Sequence, residues 1–120
     1  MQKRSKKILV IDDEESIHDI ISLIFEEYNY AVQGISNSID LQEKVLAYNP
    51  NLILLDIYLG ETDGRLICKS LKESSQTAHI PIILLSAATL KLEQLDCEPD
   101  DFIEKPFEIS ELVNKVEALI

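Results

Sequence analysis

Basic residues are scarce in this chain: 11 lysines and arginines stand against 22 aspartates and glutamates, for a formal net charge of -11. A surface this acidic has little with which to release counterions from a phosphate backbone, which argues against direct nucleic-acid binding. The one basic cluster, Lys3, Arg4, Lys6 and Lys7, reads as a solvated lead-in to the first strand. Long apolar runs are missing too, so no segment reads as a membrane span. The short "ILVI" after the basic start runs directly into acids with no cleavage-site pattern, and the chain is expected to be cytoplasmic. Cysteine is limited to Cys68 and Cys97, which lack metal-type spacing and read as free thiols, Cys68 as a small core residue on a helix. Repeats, low-complexity stretches and linkers are absent. What remains is 120 residues at 46% hydrophobic content, enough for a single domain over residues 1–120 with its own core.

Apolar runs of β type alternate with helical patterns. The runs are "ILVID" (8–12), "AVQGI" (31–35), "LILLDI" (52–57), "PIILLSA" (81–87) and "DFIEK" (101–105). The continuously aliphatic ones suit strands buried on both faces of a parallel sheet. Between the first two runs, Ile17, Ile20, Ile21, Ile24 and Tyr28 recur at helical spacing, and Ile109, Leu112, Val113, Val116 and Ile120 repeat the pattern at the end. Helices are also predicted over 38–48, on Leu41, Val45 and Leu46, and over 65–73, on Leu66, Ile67 and Leu71. Pro50, Gly64 and Pro81 fall between elements. Successive strand-helix units with right-handed crossovers imply an open, doubly wound α/β sheet covered by helices. Ligands of such sheets gather outside the carboxyl ends of the strands, where strand order reverses.

That edge is where the chemistry lies. Asp12 and Asp13 end the first strand, Asp56 lies near the end of the third, Ser86 ends the fourth and Lys105 ends the fifth. Taken singly they are ordinary. Asp13, Glu14 and Glu15 read as capping and first-turn acids, Ser86 as a strand-end serine and Lys105 as a surface lysine. Taken together they need a cation, because two unit charges about 4 Å apart at an effective dielectric near 20 interact by roughly 4 kcal/mol. Mg²⁺ suits the set best, since it accepts few protein carboxylates and keeps positions for a phosphoryl group. Lys105 adds positive charge and Ser86 a hydroxyl, the parts that stabilise a phosphoryl group in transfer, and an aspartate can itself be the nucleophile.

In these features the chain resembles the receiver domains of two-component response regulators. The resemblance runs from "KILVIDDEE" through "LILLDIYLGETDG" and "PIILLSA" to "DFIEKPF", essentially the whole length. It implies a flavodoxin-like (βα)5 fold with strand order 2-1-3-4-5. It makes Asp56 the phosphoacceptor, with Asp12, Asp13, Asp56 and the backbone carbonyl of Tyr58 as Mg²⁺ ligands. Ser86 would bind and sense the phosphoryl group, Lys105 would pair with its oxygens, Phe102 would be the aromatic switch, and the Lys105–Pro106 peptide would be cis. The implied phosphodonor is a sensor histidine kinase or a histidine phosphotransfer protein. Output would pass through a downstream protein partner or an effector domain missing from this sequence, with a homodimer as a further option. Such a domain is not an enzyme toward a separate metabolite.

The chain also departs from the family pattern. Gly60 stands where the loop after the phosphoacceptor usually carries proline, and Phe102 lacks the hydroxyl of the commoner tyrosine. Tyr58 and Ala88 border the path of the hydrolytic water in the family, so the ring of Tyr58 is expected to slow dephosphorylation. "ATLKLEQLDCEPD" predicts a shortened fourth helix, with partner contacts moved toward the first or last helix. His18 and His79 read as surface histidines. Two rival functions stand beside the phosphoacceptor: a constitutive protein-binding module of receiver type, and a Mg²⁺-dependent aspartyl-phosphate phosphatase of the haloacid dehalogenase type. The phosphatase class wants an acid where Tyr58 stands and its acidic pair after the lysine, not before it.

Overall fold

The computed structural model describes residues 6–86 and 97–120. Five strands, β1 (Lys7–Ile11), β2 (Ala31–Ile35), β3 (Leu52–Asp56), β6 (Ile82–Ser86) and β7 (Asp101–Glu104), form one parallel sheet in the order β2-β1-β3-β6-β7. Counting these five alone, this is the expected 2-1-3-4-5. The hairpin of β4 (Tyr58–Leu59) and β5 (Thr62–Asp63) is an addition that the sequence patterns did not announce, since two-residue strands carry no periodicity. The described helices are α1 (Glu15–Glu26), α2 (Leu41–Tyr48), α3 (Gly64–Glu73) and α4 (Ile109–Leu119). The predicted short fourth helix and Ala88 lie outside the described residues, as do Lys3 and Arg4.

Strand alternation sorts the core into two layers. Ile8, Val10, Leu52, Leu54, Ile83, Leu85 and Ile103 point to the face covered by α1 and α4, through Ile21, Phe25, Leu112, Val113 and Val116. Leu9, Ile11, Ile53, Leu55, Ile82 and Leu84 point to the other face, covered by α2 and α3 through Leu41, Val45, Ile67, Cys68 and Leu71. Because side chains alternate with period 2, strands covered on both sides must be apolar at every position, which is why β1, β3 and β6 read as unbroken aliphatic runs.

The helices correct the predicted stripes in detail. On α1 the fully buried residues are Ile21 and Phe25, whereas Ile20, and Tyr28 just beyond the end of the helix, are exposed. Leu46, Leu66 and Ile109 are exposed as well, because a helix against a flat sheet buries a narrower arc than its apolar residues span. Gly64 is not a breaker but the first residue of α3, with Asp63 capping through its carboxylate to the Arg65 amide. Cys68 and Cys97 are both buried free thiols.

Candidate functional site

The strand register builds the site. Ile11 pairs with Leu55, so the residues that follow, Asp12 and Asp56, emerge side by side where β1 meets β3, between the two directions in which strand order runs. Asp56 pairs with Leu85 of β6, and Ser86 pairs with Glu104 of β7, one residue before Lys105. Residues far apart in sequence thereby meet at one edge.

Ligand oxygens of Asp12, Asp13 and Asp56 lie within 4.8 Å of one another, with Asp12 and Asp56 buried and Asp13 exposed. Lys105 Nζ donates to Asp12 Oδ2 at 2.8 Å and to Asp56 Oδ2 at 3.4 Å. Asp56 Oδ1 also accepts the Tyr58 amide at 3.2 Å. Ser86 is buried at the end of β6, and the Lys105–Pro106 peptide is cis. Phe102 is half-buried on β7 and packs against the layer under α2 and α3. Tyr58, whose amide bonds to Asp56, is 55% exposed.

The capping expectation for the acidic run is corrected. Glu14 is the N-cap of α1 and its side chain makes no capping bond. Asp12 Oδ1 instead accepts the Glu14 amide at 2.9 Å. Asp13 turns away from the helix, its Oδ2 accepting the Gly60 amide of the β4–β5 turn at 3.2 Å. His18 is a second correction. It is half-buried, and its Nε2 lies 2.8 Å from the backbone carbonyl of Asp12. His79 is exposed, as expected.

Burial raises the Asp56 carboxyl above its ordinary range; the Tyr58 amide opposes this, the negative charge of Asp12 adds to it, and Lys105 pulls it back. For Lys105, burial alone would lower the amine. The hydrogen bond and charge of Asp12, with those of Asp56, outweigh it and hold the ammonium above its usual value. One lysine thus faces a cluster of acids, and the pocket keeps an excess of negative charge. A hard cation bound by oxygen matches that excess.

The family model for the response regulator receiver domain matches residues 8–117. The chain belongs to the response regulator receiver domain family. The receiver domain is 35% identical over 117 residues to the DNA-binding dual master transcriptional regulator RpaA of Synechocystis sp., covering 95% of this chain and 48% of that protein. It spans about half the length of the curated relatives it matches. Among solved structures, the signal receiver domain of a signal transduction histidine kinase from Syntrophus aciditrophicus superposes with TM-score 0.86 at 29% identity, covering 96% of this chain and 89% of that one. The receiver domain of sensor histidine kinase PA1611 from Pseudomonas aeruginosa, solved with a magnesium ion coordinated in the active site cleft, has the same fold, with TM-score 0.84 at 22% identity over 97% of this chain and 98% of that one.

Proposed function

We propose that this receiver domain, a single unit over residues 1–120, takes a phosphoryl group from a phosphohistidine on a sensor kinase or phosphotransfer protein onto Asp56. The reading rests on one observation: three carboxylates converge within 4.8 Å at the sheet edge, with Lys105 bonded to two of them. Asp12, Asp13, Asp56 and the backbone carbonyl of Tyr58 would hold Mg²⁺, the ion recorded in the cleft of the PA1611 receiver. When bound, that ion supplies positive charge to phosphoryl oxygens.

On this reading Asp56 is the nucleophile: of the two buried carboxylates, Lys105 holds Asp12 closely at 2.8 Å and Asp56 only at 3.4 Å, which leaves Asp56 the freer to attack. An oxygen of Asp56 bonds to phosphorus as the bond from phosphorus to the donor imidazole breaks, and the electron pair leaves with the imidazole nitrogen, which takes a proton. Lys105, held near Asp12 and Asp56, follows the new charge to the phosphoryl oxygens. Ser86 supplies a hydroxyl to the same group and Phe102 follows by changing its burial on β7. An apolar groove of about 540 Å³ beside Lys105, lined by Ile17, Ile20, Phe107 and Ile109, suits the helix that carries the donor histidine. Output passes to a downstream protein partner or an effector domain in a cytoplasmic signalling pathway.

Acetyl phosphate with Mg²⁺ tests the assignment. Mass spectrometry should show one phosphoryl adduct on the wild type and none on Asp56→Ala; an adduct that persists in that variant, or maps to Ser86, overturns it. Lys105→Ala should keep the fold and lose the wild-type chemical-shift response to beryllofluoride. The exposed ring of Tyr58 shields the acyl phosphate from an aligned water. Tyr58→Asn should therefore speed loss of the phosphoryl group several-fold, and an unchanged decay would contradict the shielding.

A further inference from the structure

His18 does more than occupy the surface of α1. Its Nε2 lies 2.8 Å from the carbonyl oxygen of Asp12, across six residues of chain. That carbonyl belongs to the peptide unit joining Asp12 to Asp13, so a bond to it sets the plane from which both acidic side chains depart. The other groups of Asp12 are already engaged: its amide donates to Ile35 O at 3.0 Å, Oδ1 accepts from the Glu14 amide at 2.9 Å and Oδ2 from Lys105 at 2.8 Å. The carbonyl bond from His18 completes the set.

A second observation points the same way. The imidazole lies against Gly34 of β2, and a Cβ on that glycine would fall 2.9 Å from Cε1 and closer still to Nδ1 and Cγ. Glycine inside a strand weakens it, so its presence calls for a close approach of some other group. Here the group is the His18 ring. The strand partner of Gly34 is Val10, two residues before Asp12, so the seat and the carbonyl belong to one corner of the sheet.

We propose that His18, seated on Gly34, is a positioning residue that fixes the Asp12–Asp13 peptide and so holds both carboxylates in the geometry Mg²⁺ requires. The inference rests on the reading of Asp12 and Asp13 as metal ligands. Mg²⁺ demands near-ideal octahedral geometry, whereas Ca²⁺ tolerates flexible sites, so loosening this peptide penalises Mg²⁺ more than Ca²⁺. Partners that orient ligands are commonly worth about 10–100-fold in metal affinity. His18 acts through the backbone and not on a ligand atom, so about 3–10-fold is expected.

The test is titration of Mg²⁺ and of Ca²⁺ into the wild type, His18→Ala, His18→Gln and Gly34→Ala, with the thermal midpoint of each metal-free protein as the control for folding. His18→Ala should lose about 3–10-fold in Mg²⁺ affinity and less for Ca²⁺, and His18→Gln, whose amide can still donate, should recover most of it. Gly34→Ala should show the same selective loss with His18 intact, because the added methyl displaces the ring. The double variant His18→Ala/Gly34→Ala should be no worse in affinity than His18→Ala alone. In the metal-free wild type, ¹⁵N spectra should show a proton on His18 Nε2, the ring nitrogen that faces the Asp12 carbonyl. Wild-type Mg²⁺ affinity in His18→Ala, or equal losses for both ions in His18→Ala and His18→Gln alike, would overturn the proposal. Failure of the underlying reading looks different: Asp13→Asn would then bind Mg²⁺ as the wild type does.

Discussion

Asp56 sits in an environment that disfavours its charge: buried, next to Asp12 and with Lys105 held closer to Asp12 than to itself. A carboxyl whose pKa is raised on folding binds more protons in the native state than in the unfolded one, so its ionised form opposes folding and stability falls as pH rises through the native value. Asp56→Asn should therefore stabilise the metal-free protein at pH 7, by up to about 1–2 kcal/mol. The gain should fade as the buffer is acidified until Asp56 is protonated; thermal midpoints from pH 4 to 8 check both. Tyr30 gives the opposite end of the scale. Its hydroxyl donates to Glu117 at 2.6 Å, and that bond, with burial, pushes the phenol up to about 12. Its contribution to stability is complete below pH 10 and is lost as pH rises toward 12, because the unfolded chain gives up the proton first. Absorbance titration of the phenols should show one late component near 12 that disappears in Tyr30→Phe. At the residue scale, the bond from His18 to the Asp12 carbonyl leaves the faintest mark in the sequence. Its one trace in the sequence is a glycine in the middle of a strand-like run, Gly34 in "AVQGI", which signals close approach without saying by what.

Among the elements, the β4–β5 hairpin is the piece without a sequence signal, and it is bound to the acids at its start and at its turn. Its turn amide at Gly60 donates to Asp13, and the Tyr58 amide at its start donates to Asp56. It closes directly into α3 at Gly64, whose amide donates to the carbonyl of Ile57 at 2.6 Å. A Cβ on Gly64 would lie 2.8 Å from Ile57 Cα and would collide with the Asp56 carbonyl oxygen. Gly64→Ala should accordingly cost about 1–3 kcal/mol, measured by urea unfolding, because the colliding atoms are backbone and cannot rotate away. The displaced backbone carries Asp56, so phosphorylation by acetyl phosphate should slow in the fraction that remains folded. The strands were far easier to read than the hairpin. Their covered faces demand aliphatic residues at every position over five residues, as in β3 and β6, and a pattern that long is distinctive. Helix stripes were read too broadly because hydropathy marks apolar residues, while the sheet decides which of them it can cover.

At the scale of the whole molecule, a net charge of -11 and a cluster of acids at one edge make the metal-free protein strain against its own repulsion. Mg²⁺ at 100 times its dissociation constant should stabilise the folded state by about 2.7 kcal/mol. The rise in thermal midpoint should exceed that from sodium chloride at matched ionic strength, which screens but does not bind. Asp13→Asn should remove the excess and leave the salt effect. The class of fold and the edge where the acids gather were both legible from the chain, for a shared reason: residue type at strand ends and alternation within strands are local, and locality is what a sequence displays. The direct bond of Lys105 to Asp12, the turn of Asp13 toward Gly60 and the seating of His18 on Gly34 were not. Each depends on strand register and on how closely a helix approaches the sheet. Those are set by the packing of the two core layers as a whole, so only the folded molecule decides them.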